Sequence, residues 1–310
     1  MSLVQAPNAV VMVRPWKFHP NPETTADNAF QQNSPVSLAE TALQARQEVD
    51  QMVAILKKQG VTVHLFDDFG EHDTPDSVFP NNWLTTHQGG HVALHSMYSP
   101  SRRRERRQDV VDLLKSKYRV QEVVDYSGLE HDNLFLEGTG VMVLDHLERV
   151  AYTSKSNRAS DIILERFCSH FQYEPMAFDT ADRHGRPIYH TNVMMAVGTQ
   201  FAVLSLQMIV NENRRREIEM RLKHSGRTIV DLDFEQIKNF ASNGLELTGE
   251  NGKIFVISQR GYTALRPDQI SLIEQSARIV PIPVPTIELA GGSVRCMLAG
   301  IHLTKRWEMP

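Results

Sequence analysis

The chain has 310 residues, of which 41% are hydrophobic and 23% charged, values that are ordinary for a globular protein. Its net charge of −4 gives no overall basic field, so the composition does not indicate nucleic-acid binding. No apolar run approaches the roughly 20 residues needed to span a bilayer. The N-terminus lacks the charged start of a signal peptide, and the 2 cysteines cannot build a disulfide framework. We expect a cytoplasmic protein with reduced thiols.

In chain order, the pattern predicts helices that are flanked by strands. The first unit has a strand at 9–13, a long loop at 20–35, a helix at 37–59 and a strand at 61–66. Four further units follow, with helices predicted at 100–118, 156–171, 211–224 and 267–277. Their strands are predicted at 78–84, 91–94, 120–124, 141–144, 150–152, 193–197, 201–204, 228–232, 245–248, 254–258 and 279–284.

The units recur about every 50–55 residues, a period that is typical of propeller-like arrays around a central axis. We therefore predict one α/β domain over residues 1–310. A doubly wound sheet with one long-range split is the alternative.

A polar residue recurs in the predicted opening strand of three successive units. Asn82, Glu137 and His190 are separated by steps of 55 and 53 residues. In a closed ring, equivalent positions of successive units face the axis. The register therefore predicts that an amide, an acid and an imidazole meet in one cleft, together with the thiol of Cys296.

Cys296 lies five residues after Gly291, the first of two adjacent glycines, where the backbone can approach a ligand closely. A thiol must become a thiolate to attack carbon, and a nearby imidazolium promotes this and later moves protons. His190 is the candidate partner. A small buried packing residue is the alternative interpretation of Cys296, and packing is what we expect of Cys168.

Glu137 ends an apolar stretch, where an unpaired carboxylate would be costly. It could orient His190 or bind a substrate nitrogen, and a solvated turn residue is the alternative. Asn82 and Asn192 each offer a donor and an acceptor, although asparagine in a turn is common in its own right.

Two arginines are candidates for binding substrate. Arg158 falls in the predicted first turn of a helix, where it opposes the helix dipole, so a second duty such as gripping a carboxylate is indicated. Arg14, after the first strand, is a weaker candidate. The basic runs at 102–107 and 214–216 are predicted to be solvated faces. We expect neither a cofactor nor a metal, because the phosphate, dinucleotide and metal motifs are absent.

Four segments together resemble the guanidine-modifying superfamily of arginine deiminases, dimethylarginine hydrolases and amidinotransferases, nearest to its citrulline-utilisation, amidinotransferase-like branch. They are Glu137 in LEGTG, Ser156-Asn157-Arg158, His190 in HTN and Cys296 in GGSVRCM. The resemblance implies a five-bladed α/β-propeller (pentein) of strand-strand-helix-strand units with the active site on its axis. It also implies Cys296 as nucleophile, His190 as general acid/base, Glu137 as substrate-orienting acid and Arg158 as the holder of a substrate carboxylate.

Asn82 and Asn192 depart from the deiminase pattern, which has aspartates at both places to clasp a guanidinium cation. A buried cation that lacks its counter-charges is penalised by several kcal/mol, on the order of 3–5. A neutral ureido group escapes that cost. The departures therefore predict a ureido substrate such as citrulline, or a guanidine carried through a ureido stage.

Taken together, the sequence predicts a cysteine-dependent hydrolase of C–N bonds that works through a covalent thio intermediate. The alternatives are an amidinotransferase, in which an amine accepts the intermediate, and a deiminase-type guanidine hydrolase. A propeller that only binds would need no Cys-His-Glu set. We expect a small-molecule substrate and no nucleic-acid or membrane partner, and a homodimer is compatible with the sequence.

Overall fold

The computed structural model describes residues 3–307, which form an α/β fold. The strands are β1 Ala9–Pro15, β2 Thr62–Asp68, β3 Leu84–His87, β4 His91–Leu94, β5 Glu122–Asp125, β6 Met142–Asp145, β7 Val150–Ser154, β8 Glu174–Phe178, β9 Met195–Val197, β10 Phe201–Leu204, β11 Thr228–Asp231, β12 Leu245–Gly249, β13 Gly252–Ser258, β14 Arg278–Ile282 and β15 Ala299–Gly300. The helices are α1 Leu38–Lys58, α2 Pro100–Arg103, α3 Gln108–Lys117, α4 Gly138–Val141, α5 Asp161–Phe171, α6 Glu212–His224, α7 Phe234–Lys238, α8 Gln259–Ala264 and α9 Pro267–Glu274. No helix within 3–307 is long and apolar enough to cross a membrane.

Within residues 3–307, the strands form five sheets of 3 strands each. In the sheet β3-β4-β5, β4 is antiparallel to β3 and parallel to β5, and helices connect the parallel pair. The sheets β6-β7-β8, β9-β10-β11 and β12-β13-β14 repeat this pattern. The predicted five-bladed propeller of strand-strand-helix-strand units is therefore confirmed.

The fifth sheet joins the two ends of the chain. Strand β15 pairs antiparallel with β1, with Val10 opposite Gly300 and Val11 opposite Ala299, and β1 pairs in parallel with β2. No sequence pattern indicated this third strand, because an element of 2 residues is too short to show alternation.

Helix α1 shows how the sequence pattern becomes packing. Ser37 caps its first turn by accepting a hydrogen bond from the backbone of Glu40. Val49, Met52 and Leu56 recur at helical spacing and are completely buried. Burying a side chain of this size stabilises the fold by about 1.5–3 kcal/mol, so this face fastens α1 to the sheet that carries both chain ends.

Two predicted helices differ from the observed ones. The helix expected at 100–118 is divided into α2 and α3, with residues 104–107 between them. The helix expected from Ser156 begins only at Asp161, because residues 156–160 form a turn in which Ala159 bridges Leu136. The short helices α7 and α8 were not predicted.

The polar residues of the repeat lie in turns just before the opening strands, and their prediction as strand residues was wrong. Asn82 ends a 3₁₀ turn before β3, Glu137 precedes α4 and β6, and His190 precedes a 3₁₀ turn before β9. Pro80 has no N–H to donate to a sheet, and Gly138 has a φ of +44°. These features end the extended conformation where the side chains must turn inward.

Candidate active site

One cavity, walled by buried side chains, is lined by residues from turns of several blades. Asn82, Arg102, Arg158, His190 and Cys296 all contribute to its wall. Its volume is about 20 Å³, which is room for about one water molecule. The cavity gathers a thiol, an imidazole, an amide and two guanidinium groups that are widely separated in the sequence.

The sulfur of Cys296 faces two amides. Asn192 Nδ2 donates to Sγ at 3.2 Å, and Asn243 Nδ2 lies 3.6 Å from Sγ. N–H donors can stabilise negative charge that develops on an acceptor, and both amides are placed to do so at this sulfur. Cys168 differs, since it is packed in a hydrophobic cluster and burial raises the pKa of its thiol to about 12.

His190 and Glu137 form a buried pair, with Nε2 and Oε2 2.7 Å apart. Burial lowers the pKa of His190 to about 4, and the hydrogen bond to Glu137 offsets this only in part. Burial alone would raise the pKa of Glu137, but the charge of Arg158 and the bond to His190 lower it overall. At neutral pH the imidazole is therefore neutral and the carboxylate is ionised.

Two glycines are required by the geometry of the site. A Cβ on Gly140 would lie 2.8 Å from Cε1 of His190 and 2.5 Å from a terminal atom of the Asn82 amide. Gly291 adopts a φ of +79°, and a Cβ there would meet Asn28 at 2.4 Å. Gly140 therefore lets α4 approach the imidazole closely, and Gly291 makes the turn that leads to Cys296.

Arg158 lies in the turn before α5, so the expected place in the first turn of a helix was wrong. Its guanidinium is bound by Asp27 in a two-pronged contact, Nε to Oδ2 at 3.0 Å and Nη2 to Oδ1 at 2.6 Å. Nη1 also donates to Glu137 at 3.3 Å. A substrate carboxylate can therefore reach this fork only where it displaces Asp27.

Asn82 is engaged with Arg102. With its amide oriented to satisfy both ends, Asn82 accepts from Nη1 and Nη2 of Arg102 at 2.7 and 3.0 Å and donates to Asn81. Arg102 is only 3% exposed and makes a two-pronged pair with Glu105. The predicted solvated face was wrong for Arg102, because its α2 helix turns this side chain toward the cavity.

The structure does not bring Arg14 to this cavity. Its Nε and Nη2 bind the carboxylate of Asp67 at 2.7 and 2.9 Å, and its Nη1 binds Asp50 at 2.7 Å. Arg14 joins β1 to β2 and α1 outside this cavity, and its binding of substrate stays an untested prediction. The position of one arginine after a predicted strand does not reveal which end of its blade the side chain will face.

Three contributors were missed in the sequence. Asn243 lies 53 residues after His190 and 53 before Cys296, so continuing the repeat step would have found it. Arg102 could not be told from its basic neighbours, which share its composition. Asp27 lies in a loop without periodicity, and no sequence signal marks it.

The loop around Asp27 covers the cavity. Asn157 Nδ2 donates to Asp27 at 2.9 Å, Asn28 Nδ2 donates to the carbonyl of Ala290 at 3.0 Å, and the N–H of Gln32 donates to that of Leu289 at 2.8 Å. These bonds fasten residues 21–32, here called the covering loop, beside the cavity, and Thr24 and Asn28 of the loop form part of its wall.

Comparison with known families gives one match over most of the chain. The model of the family described as N,N-dimethylarginine dimethylhydrolase, eukaryotic, matches residues 14–303. The chain belongs to this family. The predicted membership of the guanidine-modifying superfamily is thereby confirmed, and the chain is an enzyme of the guanidino-amino-acid hydrolase or amidinotransferase type. A search of curated proteins gives no match.

Solved structures share the fold at low sequence identity. The substrate-bound N-terminal domain of ArgZ, an arginine dihydrolase from cyanobacteria, has a TM-score of 0.73 at 16% identity, covering 96% of this chain and 98% of that one. AgrE with L-arginine gives 0.74 at 16%, covering 96% of this chain and 40% of that one. The dimethylarginine hydrolase of Pseudomonas aeruginosa with citrulline gives 0.66 at 11%, covering 97% and 100%. These likenesses show the pentein fold.

Proposed function

We propose that the protein hydrolyses a C–N bond of a ureido or guanidino amino acid through a covalent intermediate on Cys296. The observation that carries this is the amide-lined sulfur of Cys296 in the same cavity as His190, whose Nε2 is bonded to the ionised Glu137. A nucleophile, a proton carrier and an acid that orients the carrier are the parts that such chemistry needs.

In the first half-reaction, the neutral imidazole of His190 takes the proton of the Cys296 thiol. The thiolate attacks the planar carbon, and the new S–C bond replaces the C–N bond of the leaving amine. The imidazolium, stabilised beside Glu137, returns its proton to the leaving nitrogen. Burial lowers the pKa of His190, so the imidazole is unprotonated at neutral pH and its conjugate acid gives the proton up readily. The charge of Glu137 offsets part of the cost of forming that imidazolium.

In the second half-reaction, His190 takes a proton from water and the resulting hydroxide attacks the S–C carbon. The S–C bond breaks and the thiolate recovers a proton. With citrulline, the products are ornithine and carbamate, which decomposes to ammonia and carbon dioxide. Every proton taken up by the imidazole is returned, so no co-reactant other than water is needed.

Asn192 supports binding of the reacting group. Its Oδ1 is buried and makes no hydrogen bond with the described protein atoms, while its Nδ2 holds Cys296. A buried acceptor without a partner costs about 1–3 kcal/mol. The N–H of a ureido or guanidino group bound at the sulfur would satisfy it. A neutral amide at this position suits a neutral ureido group best, as the sequence indicated.

The far end of the substrate is assigned to the two arginines of the wall. Arg158 is the proposed ligand of the substrate carboxylate once Asp27 has swung away with the covering loop. Arg102, held by Asn82 and Glu105, adds positive charge at the same wall. Substrates that carry a free carboxylate should therefore be preferred to agmatine, which has none.

The test is turnover of citrulline, arginine, dimethylarginine and agmatine, with assays for ammonia, ornithine and citrulline. We expect ornithine from citrulline, and little product from agmatine. Arginine turnover that stops at citrulline would contradict the ureido assignment and favour a deiminase-type hydrolase. Transfer to an added amine such as glycine would favour the amidinotransferase alternative.

Two cysteine variants serve as matched controls. Cys296→Ala should abolish turnover without unfolding the protein, whereas Cys168→Ala should leave turnover within a few-fold of the wild type. The two side chains are almost equally buried, at 2% and 1% exposed, but Cys168 packs away from the cavity. Loss of activity in both variants would indicate a folding defect rather than a nucleophile.

A further inference from the structure

His91, Glu122 and His170 converge on the outside of the molecule. His91 begins β4 and Glu122 begins β5, where the two residues face each other across the parallel pair. His170 comes from the last turn of α5, which belongs to the next blade. One ligand atom of each residue lies within 4.8 Å of the other two. The cluster therefore joins two blades at the end of the β3–β4 hairpin opposite Asn82.

The spacing of these atoms fits a tetrahedral metal ion. His91 Nδ1 lies 3.3 Å and His170 Nε2 3.2 Å from the same oxygen, Oε2 of Glu122. Ligands at about 2.0–2.1 Å from a tetrahedral zinc ion are about 3.3 Å apart. The two separations, which are also those of a hydrogen bond and an ion pair, therefore match edges of such a tetrahedron, and the third separation is within 4.8 Å.

The Nδ1 atom of His91 is shielded from solvent and has no hydrogen-bond partner in the described structure. Its one polar contact among the described residues is the ion pair with Glu122. A metal ion between the two side chains would give this nitrogen a direct ligand bond. The ring is held by edge contacts with His170 and Phe171, so the atom stays directed at the carboxylate.

We propose that His91, Glu122 and His170 bind a divalent transition-metal ion, with zinc as the natural choice, and that water completes its coordination. Imidazole ligands select zinc, nickel, cobalt or copper over magnesium and calcium. Because the ligands come from two blades, the bound ion would link the blades and stabilise their contact. The site is separate from the cavity of Cys296 and does not rest on the proposed activity.

The test uses metal-free full-length protein and equilibrium dialysis against Zn²⁺. We expect one equivalent to bind, at least tenfold more weakly in His170→Ala and in Glu122→Gln. His224→Ala, an exposed histidine of α6, should bind like the wild type. Cys296→Ala should also retain the equivalent, which separates this site from zinc capture by the active thiol. Zn²⁺ should raise the melting temperature of the wild type but not of His170→Ala.

Co²⁺ provides a second readout of the same site. We expect visible bands of four-coordinate cobalt without a thiolate charge-transfer band, and their loss in Glu122→Gln. The proposal is overturned by the absence of binding to the wild type, by equal binding to His170→Ala, or by a thiolate band. Both altered side chains are partly exposed, and the melting temperature without metal shows that the variants are folded.

Discussion

Glu137 connects three charged or polar groups of the site. Its Oε2 meets His190 and Arg158, and its Oε1 accepts from the backbone of Tyr98. A carboxylate that is completely buried persists only where its neighbours compensate its charge. The charge of Glu137 in turn stabilises the protonated His190 that we propose to form during turnover.

Glu137→Gln should lower kcat with citrulline by about 100-fold or more, the usual range for a residue that supports general acid–base catalysis. The amide keeps the shape but cannot stabilise an imidazolium. Steady-state kinetics measures kcat, and circular dichroism shows whether the variant is folded. A folded variant with kcat within threefold of the wild type would show that the carboxylate is not needed.

Gly140→Ala tests the close approach of α4 to His190. The added methyl group would lie 2.8 Å from the imidazole, so the ring must shift. Alanine is otherwise favoured over glycine in helices by about 1 kcal/mol. We expect a stable protein with activity reduced at least tenfold.

The matched control for that substitution is Gly128→Ala, where a Cβ meets nothing within 4 Å. It should leave activity and stability nearly unchanged. Equal activity of the two variants would contradict the tight placement of His190.

At the residue scale, periodicity found the side chains that share a repeat register. Cys296, His190, Glu137 and Asn82 are brought together by the structure, and their roles remain predictions. Arg102 and Asp27 were missed for a physical reason. Their inward direction depends on how α2 and the covering loop dock against other blades, and a single sequence does not encode that docking as a local pattern.

The covering loop forms part of the cavity wall, and we expect its opening to admit substrate. Its ends are fastened by Asn21 to Asp76, by Glu23 to Ser101, and by the packing of Phe30 on Tyr189 and Phe240. Its middle is held by polar contacts, Asp27 with Arg158 and Asn157 and Asn28 with Ala290. Segments held by few buried apolar contacts open more readily than core strands, so we expect the middle of the loop to open first. The sequence predicted a long loop here but carried no indication that it closes the cavity.

Asp27→Asn should loosen the covering loop without unfolding the protein. Arg158 keeps its bond to Glu137, while the charged contact that fastens the loop is lost. We expect faster amide hydrogen exchange for residues 24–32, with little change in the central strands. Asp132→Asn, at an exposed aspartate of another turn, is the control. Unchanged exchange in Asp27→Asn would show that this ion pair does not hold the loop.

At the scale of the whole molecule, most of the arrangement of the propeller blades was predictable from the sequence. The repeat period indicated the arrangement of blades, and the resemblance implied their number. The closure by β15 was not predictable, because pairing between Val10 and Gly300 joins residues almost a full chain length apart. The turns at the axis were misassigned as strands, because their apolar residues resemble short strands until Pro80 and Gly138 are taken into account.

Buried histidines make the fold sensitive to acid. Burial lowers the pKa of His95 to about 3 and that of His190 to about 4, and it lowers the pKa of His87 and His146 as well. Unfolded histidine titrates near pH 6.5. Between that value and the folded pKa the unfolded state binds more protons, so the free energy of unfolding falls as the pH falls.

His95→Gln isolates one of these contributions. Removing one neutral buried histidine should flatten the slope of unfolding free energy against pH, between pH 6.5 and 4.5, by up to about 1.4 kcal/mol per pH unit. Urea denaturation at several pH values measures this slope. The buried acids are the same in the variant and the wild type, so their contribution cancels when the two slopes are compared. A slope equal to that of the wild type would contradict the neutral state of His95.

The central claim is a bond between the substrate carbon and the sulfur of Cys296. Its most direct test is mass spectrometry of protein that is acid-quenched during turnover of citrulline. The account predicts a carbamoyl adduct on the peptide that contains Cys296, decaying with turnover, and an unmodified Cys168. Turnover without any adduct, combined with activity that survives in Cys296→Ala, would contradict it.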